Sequence, residues 1–483
     1  MKTLHIILIC LCLLNPSTSL TLGATEKPNL LVILIDDMGW RDVGFAGNKL
    51  IDTPHIDRLA NAGTVFTQAY SSAPNCAPTR ACLITGQYPP RHQVFTVVDD
   101  RHKPGSAHHR LIAVTSQSEL ATESVTIAEV LKEGGYATAM IGMWNLGRGR
   151  RGPCTPTGQG FDVSKQAKEL GFEKDAYHDG SGRYLADAFA EEAVQFIRHN
   201  KSKPWFLYFA PHSVHAPFDP PPALLAKYQK KALSNRDFDA AHAASVEALD
   251  VAIGRILTSL KQLNLEKNTL VVFTSDNGGT RQYVAPLRGG KGTVYEGGIR
   301  VPMVVRGPGV KAGVSSDTPV LSMDIYPTLA GIAQVKLPKI HVVDGEDLSP
   351  VLSGEGDLKR DSVYWHFPSY VGRNGPASVI RRGDFKLIEH FESKSIELYN
   401  LVKDPSEARD LSKDQKKVAD DLLARLHAWQ KQTKAPRPTT ANPAFDPNAE
   451  RPRGRNQRGK GKGQGERQKQ GQDRKKKANN NTN

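Results

Sequence analysis

Short apolar runs alternate with stretches of helical periodicity between residue 29 and about residue 309. The run "LLVILI" is apolar at every position, which is typical of a strand buried on both faces of a sheet. "YATAMIG", "WFLYFA" and "TLVVFTS" are further runs of this kind. Repeated strand–helix units predict an α/β fold in which a mostly parallel sheet is sandwiched by helices. One helical segment has apolar residues at Val246, Leu249, Ile253, Ile256, Leu260 and Leu263.

The pattern changes after about residue 345, where shorter segments typical of antiparallel strands appear. These segments are "SVYWHFP", "ASVIRRGDFKLIEHF" and "IELYNLVKDP", and an amphipathic helix, "KKVADDLLARLHAWQKQ", follows them. We therefore expect a main domain over residues 25–345 and a smaller C-terminal α+β subdomain of antiparallel strands plus a helix over residues 346–435. Residues 436–483 are first Pro-rich and then basic, and we predict that they form a disordered tail.

Residues 1–24 have the pattern of a cleaved signal peptide. Lys2 precedes an apolar run that ends near Leu14, and small polar residues follow. No later apolar run approaches the ~18 residues that a membrane helix needs. The sequence therefore predicts a secreted or periplasmic protein without a membrane span.

Three cysteines follow the predicted signal peptide: Cys76, Cys82 and Cys154. An odd number leaves one thiol over in an oxidising compartment. A disulfide between Cys82 and Cys154 and a set of three buried free thiols are both compatible with the sequence. In either case Cys76 is available for chemistry.

The formal charge of +14 is concentrated at the C-terminus. Residues 451–477 contain twelve lysines or arginines and two acidic residues, a net charge of +10. Such a tail could bind a polyanion, for example a sulfated glycan or an anionic envelope. The alternative is a solvated tail without a specific partner. The rest of the chain is only weakly basic, which indicates little about its partners.

Acidic residues follow two of the predicted buried strands. Asp36 and Asp37 come after "LLVILI", and Asp276 and Asn277 come after "TLVVFTS". Ligands of parallel sheets bind outside the carboxyl ends of the strands. Carboxylate and amide oxygens suit Ca²⁺ or Mg²⁺ rather than Zn²⁺. Spacing alone leaves two interpretations open, a metal site and a pair of acidic turns.

The stretch at residues 74–86 reads "PNCAPTRACLITG". Its core, residues 76–80, resembles the signature of the type I, formylglycine-dependent sulfatases of the alkaline phosphatase-like superfamily. Other stretches resemble further motifs of this family in the same order: "LLVILIDDMGW", "SVHAPF", "FTSDNGG", "LRGGKGTVYEGGIRVP", "IRRGDFKLIE" and "ELYNLVKDPSE". The resemblance covers most of the chain after the predicted signal peptide.

The resemblance implies hydrolysis of sulfate esters, either on a sulfated carbohydrate or on an aryl sulfate. A formylglycine-generating or other sulfatase-maturing enzyme would oxidise Cys76 to Cα-formylglycine. The hydrated aldehyde has two hydroxyls on one carbon: one attacks sulfur, and the other, once deprotonated, expels the sulfate. The family also implies a divalent cation, with Ca²⁺ favoured and Mg²⁺ as the alternative. The matching site residues are Arg80, His215 and Lys291 around the sulfate, and Asp36, Asp37, Cys76, Asp276 and Asn277 as metal ligands.

Local physics is consistent with this role for residue 76. Pro78 suits the first turn of a helix, so Cys76 is predicted to lie at a helix N-terminus. The N–H groups and the positive dipole end there favour an anion. Arg80 is four residues further on and is expected on the same helical face.

One motif departs from the family pattern. The strand after "GYAT" usually ends in lysine–tryptophan–histidine–leucine–glycine, whereas this chain has Met143 and Asn145 at the lysine and histidine positions. Methionine has no charge, and asparagine can donate a hydrogen bond but does not act as a base. Candidates to replace the lost groups are His92, His102, Lys103, His108, His109, Arg148, Arg150, Arg151 and His212.

Two alternatives to a sulfatase with altered turnover stay open from the sequence. One is a degenerate sulfatase that binds sulfated glycan without turnover. The other is a phosphatase or phosphodiesterase of the same superfamily, although Cys76 in place of a serine or threonine nucleophile argues against it.

Overall fold

A large mixed sheet forms the centre of the computed structural model, which describes residues 27–97, 106–147, 152–232, 239–280, 284–371 and 375–449. Numbered in chain order, its eight strands follow one another across the sheet as β5 (Val163–Lys165), β4 (Ala137–Gly142), β6 (Trp205–Ala210), β1 (Asn29–Ile35), β7 (Thr269–Ser275), β8 (Met303–Arg306), β2 (Thr64–Phe66) and β9 (Val314–Ser316). The pairing is parallel except on both sides of β8. The predicted mostly parallel sheet is confirmed.

Both faces of the sheet are covered, as the apolar run of β1 predicts. Alternate residues of this strand enter different cores: Leu31 and Ile33 belong to one cluster, and Leu30 and Val32 belong to the other. The first core contains residues of α1 (Pro54–Asn61), α5 (Leu185–His199), α6 (Pro222–Ala232) and α7 (Ala240–Gln262). The second contains residues of α2 (Cys76–Thr85), α4 (Ile127–Glu133), α9 (Ile325–Ile332) and α10 (Ser349–Ser353).

The C-terminal subdomain is a four-stranded antiparallel sheet with one long helix, as predicted. The strands are β11 (Ser362–Phe367), β12 (Ala377–Arg382), β13 (Phe385–His390) and β14 (Ser395–Asn400), and the helix is α11 (Lys416–Thr433). A third apolar core joins this subdomain to the main domain and includes Trp365, Leu426, Tyr70 and Tyr88. The smaller elements are the parallel pair β3 (Ala69–Tyr70) and β10 (Val320–Leu321) and the short helices α3 (Pro89–His92) and α8 (Glu296–Ile299).

Residues 436–449, here named the C-terminal strap, pack against the fold. This stretch is part of the predicted disordered tail, and that prediction is wrong here, because its backbone lies along residues 106–112. The Ile112 amide donates to the Thr440 carbonyl at 2.9 Å, and the Asn442 amide donates to the Arg110 carbonyl at 2.9 Å. The Asn442 side-chain amide donates to the His109 carbonyl at 2.7 Å. These bonds give partners to backbone and side-chain polar groups that a disordered tail would expose to water. Residues 450–483, with most of the predicted basic tail, lie outside the described residues.

Two other sequence predictions concern the N-terminus and the cysteines. The predicted signal peptide lies outside the described residues. No helix among the described residues is long and apolar enough to cross a membrane. Cys76, Cys82 and Cys154 are all free thiols, so the Cys82–Cys154 disulfide that the sequence left open is not formed. Cys82 instead places its sulfur 3.3 Å from the ring of His92.

Candidate active site

The two acidic clusters meet at the carboxyl edge of the sheet because β1 and β7 are adjacent and parallel. Their register pairs Ile35 with Ser275, so the next residues, Asp36 and Asp276, lie side by side. The chain then turns at Asp37, which has a left-handed φ of 66°. The Asp37 amide donates to Asp276 Oδ1 at 3.2 Å. Strand pairing therefore brings together residues that are 240 positions apart in the sequence.

Residue 76 begins helix α2, as predicted. Asn75 is the extended N-cap residue, and its side-chain amide donates to Thr96 Oγ1 at 3.0 Å. Cys76 is buried, at 6% relative exposure. Burial raises the pKa of its thiol to about 12, and the carboxylate of Asp36 adds to this effect while Lys291 opposes it. The unmodified thiol is therefore protonated near neutral pH and is a poor nucleophile.

Arg80 links the helix to the acidic residues from the same helical face as Cys76. Its Nε and Nη2 donate to Asp276 Oδ2 at 3.0 and 2.7 Å, and Nη2 is 3.4 Å from Asp36 Oδ2. Its Nη1 donates to the Met143 carbonyl at 2.6 Å. Although burial opposes its charge, the two carboxylates raise the pKa of Arg80, so the guanidinium stays ionised.

The acidic residues influence the titration of one another. Burial opposes ionisation of Asp36, but a hydrogen bond with His212 and the charge of Arg80 bring its pKa below the usual range. Burial and repulsion from Asp36 raise the pKa of Asp276 to about 7, although Arg80 opposes this shift. Carboxylates packed this closely are stabilised by a bound cation.

Unpartnered oxygens show that these residues fit a divalent cation. Asp36 Oδ1 and Asn277 Oδ1 are buried and have no hydrogen-bond partner among the described residues. Ligand atoms of Asp36, Cys76 and Asp276 lie within 4.8 Å of one another, and so do ligand atoms of Asp36, Asp37 and His215. An oxygen-rich set of this kind suits a hard ion such as Ca²⁺ or Mg²⁺.

The predicted lysine and histidine lie around Asp37. Lys291 Nζ is 2.6 Å from Asp37 Oδ1, and His215 Nε2 is 3.7 Å from Asp37 Oδ2. The Asn277 side-chain amide also donates to Asp37 Oδ1, at 2.7 Å. Burial lowers and the carboxylate of Asp37 raises the pKa of Lys291, and the net shift is upward. The lysine is therefore a cation at the edge of the acidic cluster.

The altered motif lies directly beside the predicted nucleophile. Met143 and Asn145 follow strand β4, which is separated from β1 only by β6. Asn145 has a left-handed φ of 59°, and its side-chain amide donates to the sulfur of Cys76 at 3.2 Å. Met143 contributes its backbone carbonyl to Arg80. The structure therefore brings together all the predicted site residues and places the asparagine against residue 76.

Comparison with known proteins agrees with this arrangement. The family model for sulfatases matches residues 28–335, and a model described as N-sulphoglucosamine sulphohydrolase, C-terminal, matches residues 290–432. A protein named sulfatase from Formosa agariphila is 33% identical, and the match covers 86% of this chain and 90% of the relative. The chain belongs to the formylglycine-dependent sulfatase family. Arylsulfatase A from Homo sapiens is 31% identical over 429 residues, covering 80% of this chain and 79% of the relative.

The fold of this sulfatase is also that of solved sulfatase structures. The crystal structure of Ps i-CgsB has 30% sequence identity and a TM-score of 0.70, and the match covers 86% of this chain and 95% of that chain. The predicted alkaline phosphatase-like fold and the predicted enzyme class, a sulfuric ester hydrolase, are therefore confirmed.

Of the residues considered as replacements for the lost lysine and histidine, His212 lies in the sulfatase site. Its Nδ1 is 3.3 Å from Asp36 Oδ2, and its ring stacks on that of His215 with centroids 4.9 Å apart. His92 is buried against Cys82, and burial lowers its pKa to about 3, so it is neutral and structural. His109 stacks on Tyr370 at 3.7 Å, and His108 precedes it on the same loop. His102, Lys103, Arg148, Arg150 and Arg151 lie outside the described residues.

Sequence reasoning missed a tyrosine that supports the loop of residues 212–215, which carries His212 and His215. The Tyr177 hydroxyl donates to the carbonyl of His215 and lies 3.2 Å from the carbonyl of His212. Its ring also stacks on that of His212, with centroids 5.6 Å apart. Tyr177 lies more than thirty residues upstream in an irregular segment, and no local pattern indicates this contact.

Proposed function

We propose that this sulfatase uses a formylglycine made from Cys76, together with one divalent cation, to hydrolyse sulfate esters of a carbohydrate. The position of residue 76 is the observation that carries the proposal. It lies at a helix N-terminus, on the same helical face as Arg80, and beside the acidic cluster and Asn145. A hydrated aldehyde at this position would supply a hydroxyl to attack sulfur and a second hydroxyl to release it.

The residues around position 76 have different proposed roles in the reaction. Arg80 is held by Asp276 and the Met143 carbonyl, so its charge has a fixed position next to the nucleophile. Lys291 and His215 both contact Asp37 and are the groups that would bind sulfate and protonate the leaving oxygen. Asn145 can orient a hydroxyl on residue 76 by donating to it, but an amide does not accept its proton.

The cation would be held by Asp36, Asp37, Asp276, Asn277 and the modified residue 76. The unpartnered oxygens of Asp36 and Asn277 support this assignment. Ca²⁺ is the ion that we favour, because the ligands are all oxygens and lie on three segments, and Mg²⁺ is the alternative. When bound, the cation would polarise a sulfate oxygen and stabilise the ionised nucleophile.

Sulfated carbohydrate is the substrate class that the relatives suggest. The protein of the Ps i-CgsB structure was also solved in complex with k-i-k-neocarrahexaose. A relative from Rattus norvegicus that is 32% identical is named N-acetylgalactosamine-6-sulfatase. The arylsulfatase relatives support an aryl sulfate as the second candidate and as a convenient test substrate.

Maturation and location complete the proposal. A formylglycine-generating or other sulfatase-maturing enzyme would act on the "CAPTR" segment of the unfolded chain, because Cys76 is buried once the protein has folded. The protein would be secreted or periplasmic, in keeping with the predicted signal peptide. The basic tail would add affinity for a polyanionic substrate without taking part in the chemistry.

Activity of the matured protein tests this function. Protein made in a host with the maturation machinery and supplied with Ca²⁺ is expected to release sulfate from an aryl sulfate and from sulfated oligosaccharides. Phosphate monoesters and diesters of the same alcohol are expected to react far more slowly. Preferential cleavage of the phosphate esters would favour a phosphatase or phosphodiesterase, and binding of sulfated glycan without turnover would favour a degenerate sulfatase.

A further inference from the structure

A cluster of buried charges lies outside the sulfate site, at the contact between the main domain and the C-terminal subdomain. Lys386 Nζ is 3.0 Å from Glu296 Oε1 and 2.9 Å from Glu407 Oε1, and the three side chains are at most 1% exposed. The Tyr70 hydroxyl donates to Glu296 Oε2 at 2.8 Å, and Arg381 donates to that hydroxyl. Removing one member of a buried ion pair leaves an uncompensated charge, so the members hold one another in place.

The cluster fixes Glu296 through both its side chain and its backbone. Glu296 begins α8, Lys386 lies on β13, and Glu407 lies in the loop after β14. In addition to the contacts with Lys386, the Glu296 amide donates to Glu407 Oε2 at 2.7 Å. The C-terminal subdomain therefore holds the first residue of α8, which is five residues after Lys291.

The segment that carries Lys291 is short and is bonded to the site on its other side. The Lys291 amide donates to the Gly279 carbonyl at 3.0 Å, and the Gly292 amide donates to the Pro74 carbonyl at 2.7 Å. Gly279 is two residues after the proposed cation ligand Asn277, and Pro74 is two residues before Cys76. The lysine segment is thus held between the buried cluster and the two segments that carry the cation ligands and the nucleophile.

A second set of contacts connects the two ends of this segment to each other and to the C-terminal subdomain. The Gly297 amide donates to the Arg288 carbonyl at 2.8 Å. Arg288 Nη1 donates to the Tyr399 hydroxyl at 2.7 Å and to the Glu407 carbonyl at 3.1 Å. The guanidinium also stacks 3.9 Å above the ring of Tyr295. Residues 288–298 therefore form one unit whose position depends on the C-terminal subdomain.

We propose that Glu296, Lys386 and Glu407 are positioning residues for Lys291, so that the C-terminal subdomain sets the place of the lysine in the sulfate site. The proposal rests on the proposed role of Lys291 in binding sulfate and protonating the leaving oxygen. A misplacement of about 1 Å in a reacting group costs roughly 10²-fold in rate. Loosening Glu296 is therefore expected to reduce activity although the cluster does not touch the substrate.

The double variant Lys386→Met with Glu407→Gln tests the proposal. It removes one cation and one anion, so the cluster keeps its charge balance, whereas the single variant Lys386→Met removes the lysine that both carboxylates share. Asp250→Asn is the matched control, because Asp250 is also fully buried and accepts the His55 and Ile56 amides at the start of α1, away from the lysine segment. All variants are made as full chains with the maturation machinery.

The leaving group and amide exchange are the two readouts. With phenyl sulfate, which has a poor leaving group, kcat/KM of the double variant, which reports the steps up to departure of the phenol, is expected to fall about 10-fold or more, within the range of general acid catalysis. With 4-nitrophenyl sulfate, whose leaving group needs less protonation, we expect a fall of about threefold or less by the same reasoning. Hydrogen exchange at residues 288–298 is expected to accelerate in the double variant and to be unchanged in Asp250→Asn.

The outcomes separate this inference from the proposed function. If the wild-type protein is matured but hydrolyses no sulfate ester, the proposed function fails, and the exchange measurement alone tests the positioning. If the wild type is active and the double variant shows equal losses on both substrates with unchanged exchange at residues 288–298, the cluster is only structural and the inference is wrong. Should the double variant not fold, Glu407→Gln alone provides the same two comparisons.

Discussion

The side-chain amide of Asn145 donates a hydrogen bond to the sulfur of Cys76 at 3.2 Å. The family motif that this stretch resembles implies a histidine at this position. The contact shows that the asparagine amide reaches residue 76 and can orient an oxygen there. It does not replace the ability to accept a proton, which is what release of sulfate from residue 76 would require.

Conversion of Cys76 to formylglycine is the first expected result. Mass spectrometry of protein from a host with the maturation machinery is expected to show an aldehyde in place of the thiol in the peptide that ends at Arg80. The next tryptic peptide contains Cys82, which is buried against His92 and is expected to stay unmodified, so it serves as an internal control. An intact thiol at residue 76 in every molecule would rule out the proposed nucleophile.

Cation binding is expected to depend on Asp276. The Asp276→Asn variant keeps the size of the side chain but removes one of three carboxylates, so its bound Ca²⁺ is expected to fall to background by elemental analysis. A ligand at 100 times its Kd stabilises a protein by about 2.7 kcal/mol. Added Ca²⁺ is therefore expected to raise the Tm of chelator-treated wild type and of the control Asp250→Asn, but not of Asp276→Asn. Equal metal content in wild type and Asp276→Asn would place the ion elsewhere.

The sequence predicted the sheet, the helix at Cys76 and the site residues because each depends on local pattern or on a short motif. Buried strands are apolar at every position, so β1 and β7 were recognisable, whereas their adjacency and register in the sheet were not predicted. Contacts between distant segments were not predictable. The contact of Tyr177 with the His212 carbonyl depends on how whole elements pack, and so does the position of Lys386 between Glu296 and Glu407. No local sequence pattern indicates either contact.

The C-terminal strap shows a different limit of sequence reasoning. Its Pro-rich composition led to a prediction of disorder, but backbone and asparagine hydrogen bonds connect it to residues 106–112. Order here comes from polar groups that have partners on another segment and from Phe445, whose ring packs under the Arg110 guanidinium at 5.0 Å. A hydropathy pattern does not predict hydrogen bonds of this kind.

Two truncations separate the strap from the basic tail. Ending the chain after residue 449 removes the charge of the predicted tail and is expected to leave kcat/KM on a small aryl sulfate unchanged. It is expected to weaken binding to a sulfated polysaccharide at low salt, with a smaller effect at high salt, because exposed charges are screened. Ending the chain after residue 435 also removes the strap and is expected to accelerate hydrogen exchange at residues 106–112. Identical polysaccharide binding by the full chain and the first truncation would show that the tail has no such role.

Restoring the family residues is expected to change turnover rather than binding. The double variant Met143→Lys with Asn145→His returns a cation and a base to the edge of the site beside Arg80 and residue 76. General acid–base help is worth ~10²–10⁴ in rate, so kcat on an aryl sulfate is expected to rise within that range. Asn145→Ala, which removes the orienting amide without adding a base, is the matched control and is expected to lower kcat. No gain in the double variant would indicate that another residue already acts as the base, and His212 is the first to mutate among the described candidates.

Rapid-mixing kinetics of the matured, Ca²⁺-loaded protein on 4-nitrophenyl sulfate tests the central claim most directly. The groups proposed for sulfur attack, including Arg80, His215 and Lys291, are in place, whereas the position beside residue 76 holds an amide instead of a base. We therefore expect a burst of nitrophenol close to one equivalent of enzyme, followed by slow steady turnover. In the Met143→Lys, Asn145→His variant we expect no burst, because nitrophenol should be released at a fast and constant rate. A linear time course in the wild type, as fast as that of the double variant, would contradict the account.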